Sequence, residues 1–333
     1  MGDVRGGRVE IGGRRDTALE SGVPKERAAK VGARKAKRPL WQRIMLRLCG
    51  LGLIAYIFWC VAIYFVQDSL IFPRSYAAQI ADAETNLSAN ESMITITAAD
   101  GTPLRGVLWL PTNIAKVESR AGESARTLSG AAPLVVWLHG NAERIEHVRR
   151  HGALEPYQNR RFAILLPEYR GYGPSAGEPS EGALASDVEA MIRAAQTDPR
   201  VDATRLVIHG RSLGGGVACA AARRITPDAL VLESTFTSIT AMSRRFFVPG
   251  FLVRHPFRND KVVRDFAGPV LIMHGCNDSI VPYSHGEALA KLARDATFVR
   301  QECDHNDFPG RDLAGYDEAL GAFLAKAGVI GHE

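Results

Sequence analysis

At 333 residues and 46% hydrophobic, the chain is long enough for one large α/β domain with a substantial core, plus extra segments. Its net charge of +5 is unevenly placed: residues 1–47 hold thirteen Lys/Arg against five Asp/Glu, and the remainder 28 against 31. The basic excess therefore belongs to a tail and gives the main body no basic face, so no nucleic-acid partner is expected.

Residues 1–40 are rich in Gly, Arg, Ala and Lys without helical periodicity, and are expected to be a disordered basic tail. Residues 48–66 then run without a charge, long enough to cross a bilayer as a helix. Tyr56, Trp59, Tyr64 and the preceding Trp41 add aromatics suited to the membrane interface. A cleaved signal peptide fits less well, because the apolar run is too long and no small-x-small site follows it. A buried core helix would show a polar stripe, and none is present. The expectation is a transmembrane anchor over 41–67 that contacts the membrane through 48–66, followed by a catalytic domain over 68–333. Basic residues before the span predict a cytoplasmic N-terminus and a domain on the non-cytoplasmic side.

The body alternates short apolar runs with longer mixed ones. Residues 92–97 and 104–110, joined across Ala-Asp-Gly, read as a hairpin. A polar, small-residue stretch over 116–132 reads as a solvated loop. Near-continuous apolar strands follow at 134–138, 162–166, 206–208, 230–232, 270–273 and 297–299. Helices are expected near 143–156, 181–196, 213–224, 284–294 and 315–327. Apolar strands separated by helices indicate a parallel sheet buried on both faces.

Gly210-Arg211-Ser212-Leu213-Gly214 follows the strand at 206–208 and opens a helix-compatible run. Strand, G-x-S-x-G and helix together read as a nucleophile elbow. The glycines keep side chains from colliding where a strained turn holds the serine. An antiparallel entry, a parallel core and an elbow after the third core strand resemble the α/β-hydrolase fold over roughly residues 67–327. With a small cap segment and one preceding transmembrane helix, that is the expected α/β architecture.

The resemblance places further chemistry in the order serine, acid, histidine. His274-Gly-Cys-Asn-Asp278-Ser-Ile-Val-Pro282 resembles the family's H-G-x-x-D-x-x-V-P segment, which makes Asp278 the acid, with Glu233 in reserve. Cys303-Asp-His305 stands where the family carries its base. His305 is the one of nine histidines in the right order and loop. His139, His209 and His274 read as locally hydrogen-bonded strand ends, and His147, His151, His255, His285 and His332 as surface residues. His139-Gly140-Asn141-Ala142 resembles the H-G-N-A variant of membrane-associated and lipid-directed hydrolases. The oxyanion hole would then use the backbone N–H groups of Asn141 and Leu213, with Gly140, Gly210 and Gly214 permitting close approach. Glu168-Tyr-Arg-Gly-Tyr-Gly-Pro-Ser-Ala-Gly177 resembles the D-Y-R-G-Y-G-x-S-x-G loop, in which Arg170 and Tyr172 would brace the site. Its first residue departs from the usual Asp, a change read as leaving the mechanism untouched.

This constellation implies acyl transfer to water at an ester or thioester of a small or lipid-like substrate, with no cofactor and no metal. A serine aminopeptidase-like activity and a non-catalytic membrane-tethered scaffold are the alternatives. The apolar residues between 232 and 270 allow either a lid over Ser212 or a helix on the sheet edge. Cys276 and Cys303 each precede a site residue by two positions and are candidates for a bridge in an oxidising compartment.

Overall fold

A computed structural model describes residues 38–74, 87–112, 130–150, 152–173, 175–307 and 312–331. The expected basic tail and most of the loop at 116–132 lie outside these. The chain divides into two compact units, residues 1–52 and 53–333. Helix α1, Leu40–Ile71, has the length and composition to cross a membrane. At 1.5 Å per residue it extends for about 48 Å.

The second unit is built on one eight-stranded sheet, with strands β1 (Glu91–Thr97), β2 (Pro103–Trp109), β3 (Ala132–Leu138), β4 (Ala163–Pro167), β5 (Val201–Arg211), β6 (Ala229–Glu233), β7 (Val270–Gly275) and β8 (Ala296–Gln301). Their order is β1-β2-β4-β3-β5-β6-β7-β8. The entry hairpin and its join to β4 are antiparallel, and every later pairing is parallel. This is the architecture the sequence pattern implied. The central strands are buried throughout because each face carries its own core. Leu134, Val136 and Leu138 face one cluster, while Val135 and Trp137 face the other. The two-residue period of a strand accounts for that split.

Helices α2 (Ile145–Arg150), α3 (Glu155–Asn159), α4 (Glu181–Ala195), α5 (Leu213–Ala222), α6 (Ile239–Ser243), α7 (Asn259–Asp265), α8 (Ser284–Leu292) and α9 (Leu313–Lys326) join the strands. The single helix expected over 143–156 is replaced by two short ones. Gly152 between them sits at φ +71°, a break helical backbone cannot accommodate, and Pro156 opens the second. Sharp starts elsewhere have visible causes: the Ser180 and Ser238 hydroxyls accept N–H bonds from Ala183 and Ala241.

After β3 the chain moves to β4 on one side, then crosses back to β5 on the other. The carboxyl ends of β3 and β5 therefore flank the point where strand order reverses, the usual place for a crevice in such a sheet. The loop at His139 and the turn at Ser212 leave from those two ends.

Candidate active site

β5 ends at Arg211 and α5 begins at Leu213, so Ser212 alone makes the turn. It holds φ +53°, a left-handed conformation that costs a non-glycine residue on the order of 1–3 kcal/mol. Its neighbours explain the flanking glycines. A Cβ on Gly210 would run into the backbone of Gly214 and Gly215, and one on Gly214 into the carbonyls of Leu138 and His139. A Cβ on Gly140 would meet only the flexible end of the Glu143 side chain.

The loops after β7 and β8 bring Asp278 and His305 to this turn. His305 Nε2 lies 3.1 Å from Ser212 Oγ, and its Nδ1 lies 2.7 Å from Asp278 Oδ2. The N–H groups of Ile280 and Val281 donate to the other carboxylate oxygen at 3.0 and 2.7 Å. His274 Nε2 approaches Oδ2 at 3.3 Å. Burial alone would raise the pKa of Asp278, but the contacts from His274 and His305 outweigh it and hold the carboxyl below its ordinary range. Asp278 therefore remains anionic opposite the imidazole. With its proton on Nδ1, His305 presents the Nε2 lone pair to the serine hydroxyl.

Asn141 and Leu213 both face the space above Ser212. As the first residue of α5, Leu213 has an N–H the helix itself cannot satisfy. Each N–H shares a planar peptide with the preceding carbonyl, so a bond to that carbonyl aims it. The Thr235 hydroxyl donates to the Ser212 carbonyl at 2.7 Å. His139 Nδ1 lies 2.9 Å from the Gly140 carbonyl. Tyr172 donates to the Asn141 carbonyl at 2.8 Å, bracing the same loop.

Arg170 pairs with Asp187 at 2.6 Å and Asp100 at 2.7 Å, and so ties its loop to α4 and the entry hairpin. Other expectations need correction. Glu233 meets His209 at 3.0 Å and the Tyr316 hydroxyl at 2.6 Å, so it is committed within the core. His209 also reaches Tyr157 at 2.9 Å, so its bonds are not local. His147, His255 and His285 are half-buried, and His151 and His332 lie outside the described residues. Glu168 is buried 3.2 Å from His139 Nε2 and thus touches the residue that holds the Gly140 carbonyl. Cys276 and Cys303 are free thiols, and Cys276 Sγ donates to Glu302.

Three further residues support the site. Arg211, in the variable position of G-x-S-x-G, donates to the His305 carbonyl at 3.0 Å and to Glu143 at 3.1 Å, while Glu143 accepts the Gly140 N–H. Asp304 accepts the N–H groups of Ser279 and His305, pinning the acid and base loops together. Thr235, in the loop after β6, holds the Ser212 carbonyl as described above.

Both readings of the 232–270 segment hold. α7 packs against α5, while residues 238–253 form a cap over Ser212. Beneath the cap lies a cavity of about 350 Å³, within the range of small-molecule sites. Ser212, Leu213 and Asn141 meet Ile239, Met242, Val248 and Val281 across it. Polar groups therefore gather at one end of an apolar chamber.

Comparison with known proteins agrees with this architecture. Human protein ABHD12B is 34% identical over 185 residues, covering 49% of this chain and 51% of its own. The zebrafish (Danio rerio) lysophosphatidylserine lipase ABHD12 is 33% identical over 191 residues, covering 50% and 49%. The chain thus spans about half the length of these curated relatives. Among solved structures, Est1E from Butyrivibrio proteoclasticus with ferulic acid bound superposes with a TM-score of 0.56 at 20% identity, covering 71% of this chain and all of that one. A family model described as "Alpha/beta hydrolase family" matches residues 135–324, more than half of the sequence, and the chain belongs to that family.

Proposed function

We propose that the protein is a membrane-anchored serine hydrolase that cleaves carboxylic ester or thioester bonds through an acyl-enzyme on Ser212. The observation that carries this reading is the continuous Ser212–His305–Asp278 contact at the polar end of an apolar cavity. His305 takes the Ser212 proton as the oxygen attacks the acyl carbon, and Asp278 stabilises the imidazolium that results. The Asn141 and Leu213 N–H groups receive the developing oxyanion. His305 then protonates the leaving alkoxide or thiolate. A water deprotonated by the same histidine attacks the acyl carbon and releases the acid. None of these steps needs a metal or cofactor.

The apolar chamber favours an acyl chain over a peptide, and the zebrafish relative's name points to single-chain acyl lipids. The basic residues ahead of α1 support a cytoplasmic N-terminus, with the second unit on the opposite side.

The test is fluorophosphonate labelling of the full-length protein in detergent, beside Ser212→Ala and a heat-denatured control. Labelling of the wild type alone is the expected result. A folded wild-type protein that stays unlabelled would leave the fold as a binding scaffold and overturn the reading.

A further inference from the structure

Helix α1 contributes directly to the cavity. Tyr56, Trp59, Ile63, Gln67 and Ile71 recur at intervals of three or four and so share one helical face. That face meets the cap. Tyr56 donates to the Phe247 carbonyl at 3.0 Å, and the Trp59 indole donates to the Phe246 carbonyl at 2.8 Å. Gln67 donates to the Leu252 carbonyl at 3.1 Å and accepts the Arg254 N–H at 2.9 Å. Arg254 also pairs with Asp68 at 2.9 Å. Ile63, between these polar clasps, and Leu70 and Ile71, just beyond them, line the chamber above Ser212. Leu70, Phe246 and Ile280 combine exposed surface with a place in that lining, so the chamber opens at the seam between helix and cap.

The cap's outer surface is unlike that of a water-facing loop. Phe246, Phe247 and Phe251 are 57%, 78% and 86% exposed. Phe247 holds φ +55°, a strained conformation for so bulky a residue. Contiguous exposed aromatics beside an apolar helix mark a lipid-facing surface. The backbone adds a second argument. The carbonyls of Phe246 and Phe247 close a short 3₁₀ turn and, in hydrocarbon, would lack partners unless side chains supplied them. Tyr56 and Trp59 supply them. Trp59 and Tyr56 stand seven and ten residues before Val66, where the uncharged run ends. That places the contacts roughly 10 and 15 Å along the helix from its end, inside a hydrocarbon layer about 30 Å thick. Arg244, exposed on the same turn, has a stem that can carry its charge toward the headgroups, while Arg245 donates to the Ile280 carbonyl at 2.9 Å.

We propose that the cap is embedded in one bilayer leaflet beside α1, and that the chamber receives the substrate's acyl chain sideways from that leaflet, with α1 as one wall of the acyl subsite. The inference rests on the hydrolase reading above. It makes the anchor a specificity element as well as a tether.

The test uses full-length protein in phosphatidylcholine nanodiscs with p-nitrophenyl acetate and p-nitrophenyl palmitate, read as the ratio of the two kcat/KM values. Ile63→Trp, which narrows the chamber, is expected to lower the palmitate-to-acetate ratio at least tenfold. Phe251→Asp, which places a charge on the immersed face, is expected to lower it at least fivefold. Fluorophosphonate labelling of Ser212 verifies that each variant is folded, and Leu70→Trp at the mouth carries the same expectation should Ile63→Trp fail that check. A ratio within twofold of wild type for the chamber variant removes α1 from the acyl subsite. The same result for Phe251→Asp removes the cap from the leaflet, and a dimer that becomes monomeric in native mass spectrometry of that variant would identify the patch as a contact between copies. Wild-type protein inactive on both esters and unlabelled would overturn the hydrolase reading itself. Wild-type activity with unchanged ratios in the variants would overturn only the present inference.

Discussion

Replacing Thr235 with valine removes one hydroxyl from the site at little change in shape. The side chain is buried, and its hydroxyl donates to the Ser212 carbonyl at 2.7 Å. That carbonyl shares a planar peptide with the Leu213 N–H, so losing the bond frees the direction of the proposed oxyanion donor. The carbonyl is not stranded, because it also accepts the Gly215 N–H at 3.0 Å. Asn259, whose amide approaches Thr235 Oγ1 at 3.5 Å, keeps its shorter bond to the Phe236 carbonyl at 2.9 Å. The stability cost should therefore be that of a single hydrogen bond, about 0.5–1.5 kcal/mol.

The catalytic cost is bounded from above by complete loss of one oxyanion donor, roughly 10²–10³-fold. Since Gly215 still holds the peptide, about tenfold is expected, equivalent to ~1.4 kcal/mol of transition-state stabilisation. The donor matters when charge develops on the substrate oxygen, so kcat should fall while KM stays constant. The assay is steady-state hydrolysis of a p-nitrophenyl ester by full-length protein in detergent, with the thermal midpoint measured alongside. A kcat within twofold of wild type in a folded variant would refute the idea that Thr235 aims the Leu213 N–H.

Asp278→Asn should reduce kcat by about 10³–10⁴-fold with little loss of fold, because an amide stabilises neither the required imidazole tautomer nor the imidazolium; single-turnover kinetics and circular dichroism check this together. Burial opposes the charged form of His139, but Glu168 beside it prevails and raises its pKa above the ordinary value. A raised pKa contributes stability that is complete below about pH 6.5 and is lost as pH climbs through the folded value. Thermal midpoints across roughly pH 5–9 should therefore decline toward alkaline pH in the wild type and decline less in Glu168→Gln. Gly214→Ala would push a methyl into the carbonyls of Leu138 and His139, so the elbow must shift; fluorophosphonate labelling should fall at least a hundredfold even where the protein stays folded. Across an acyl series, each methylene that enters the chamber should raise kcat/KM by up to about fourfold, corresponding to ~0.8 kcal/mol per buried CH₂, until the chamber is full; a flat series from acetate to octanoate would contradict an acyl subsite.

Much of this arrangement was legible in the linear chain for a local reason. A turn as tight as that at Ser212 tolerates only glycine at Gly210 and Gly214, so its geometry is written into five consecutive residues. Asp278 and His305 could be placed because the segments carrying them resemble the family's acid and base segments, and each follows a strand of the sheet. What escaped depends on pairs distant in sequence. His209, Tyr157, Glu233 and Tyr316 satisfy one another across four elements, and no spacing joins them. Glu168 looked neutral as a departure from Asp because its partner, His139, comes from a neighbouring loop.

The anchor illustrates the same limit in another solvent. Composition registers that residues 48–66 are apolar enough to span a bilayer, but an apolar run has no polar stripe to declare which face it turns to protein. Tyr56 and Trp59 read most simply as interfacial aromatics. In the structure, their polar tips instead meet two cap carbonyls, and Gln67 does the same immediately after the run. In water such bonds would contribute little, since the solvent competes for every donor. In hydrocarbon they decide whether irregular backbone can stay there at all. Three donors on one face of an otherwise apolar helix are therefore better explained by what they satisfy than by where the membrane ends. That distinction separates a helix that only tethers an enzyme from one that completes its binding site.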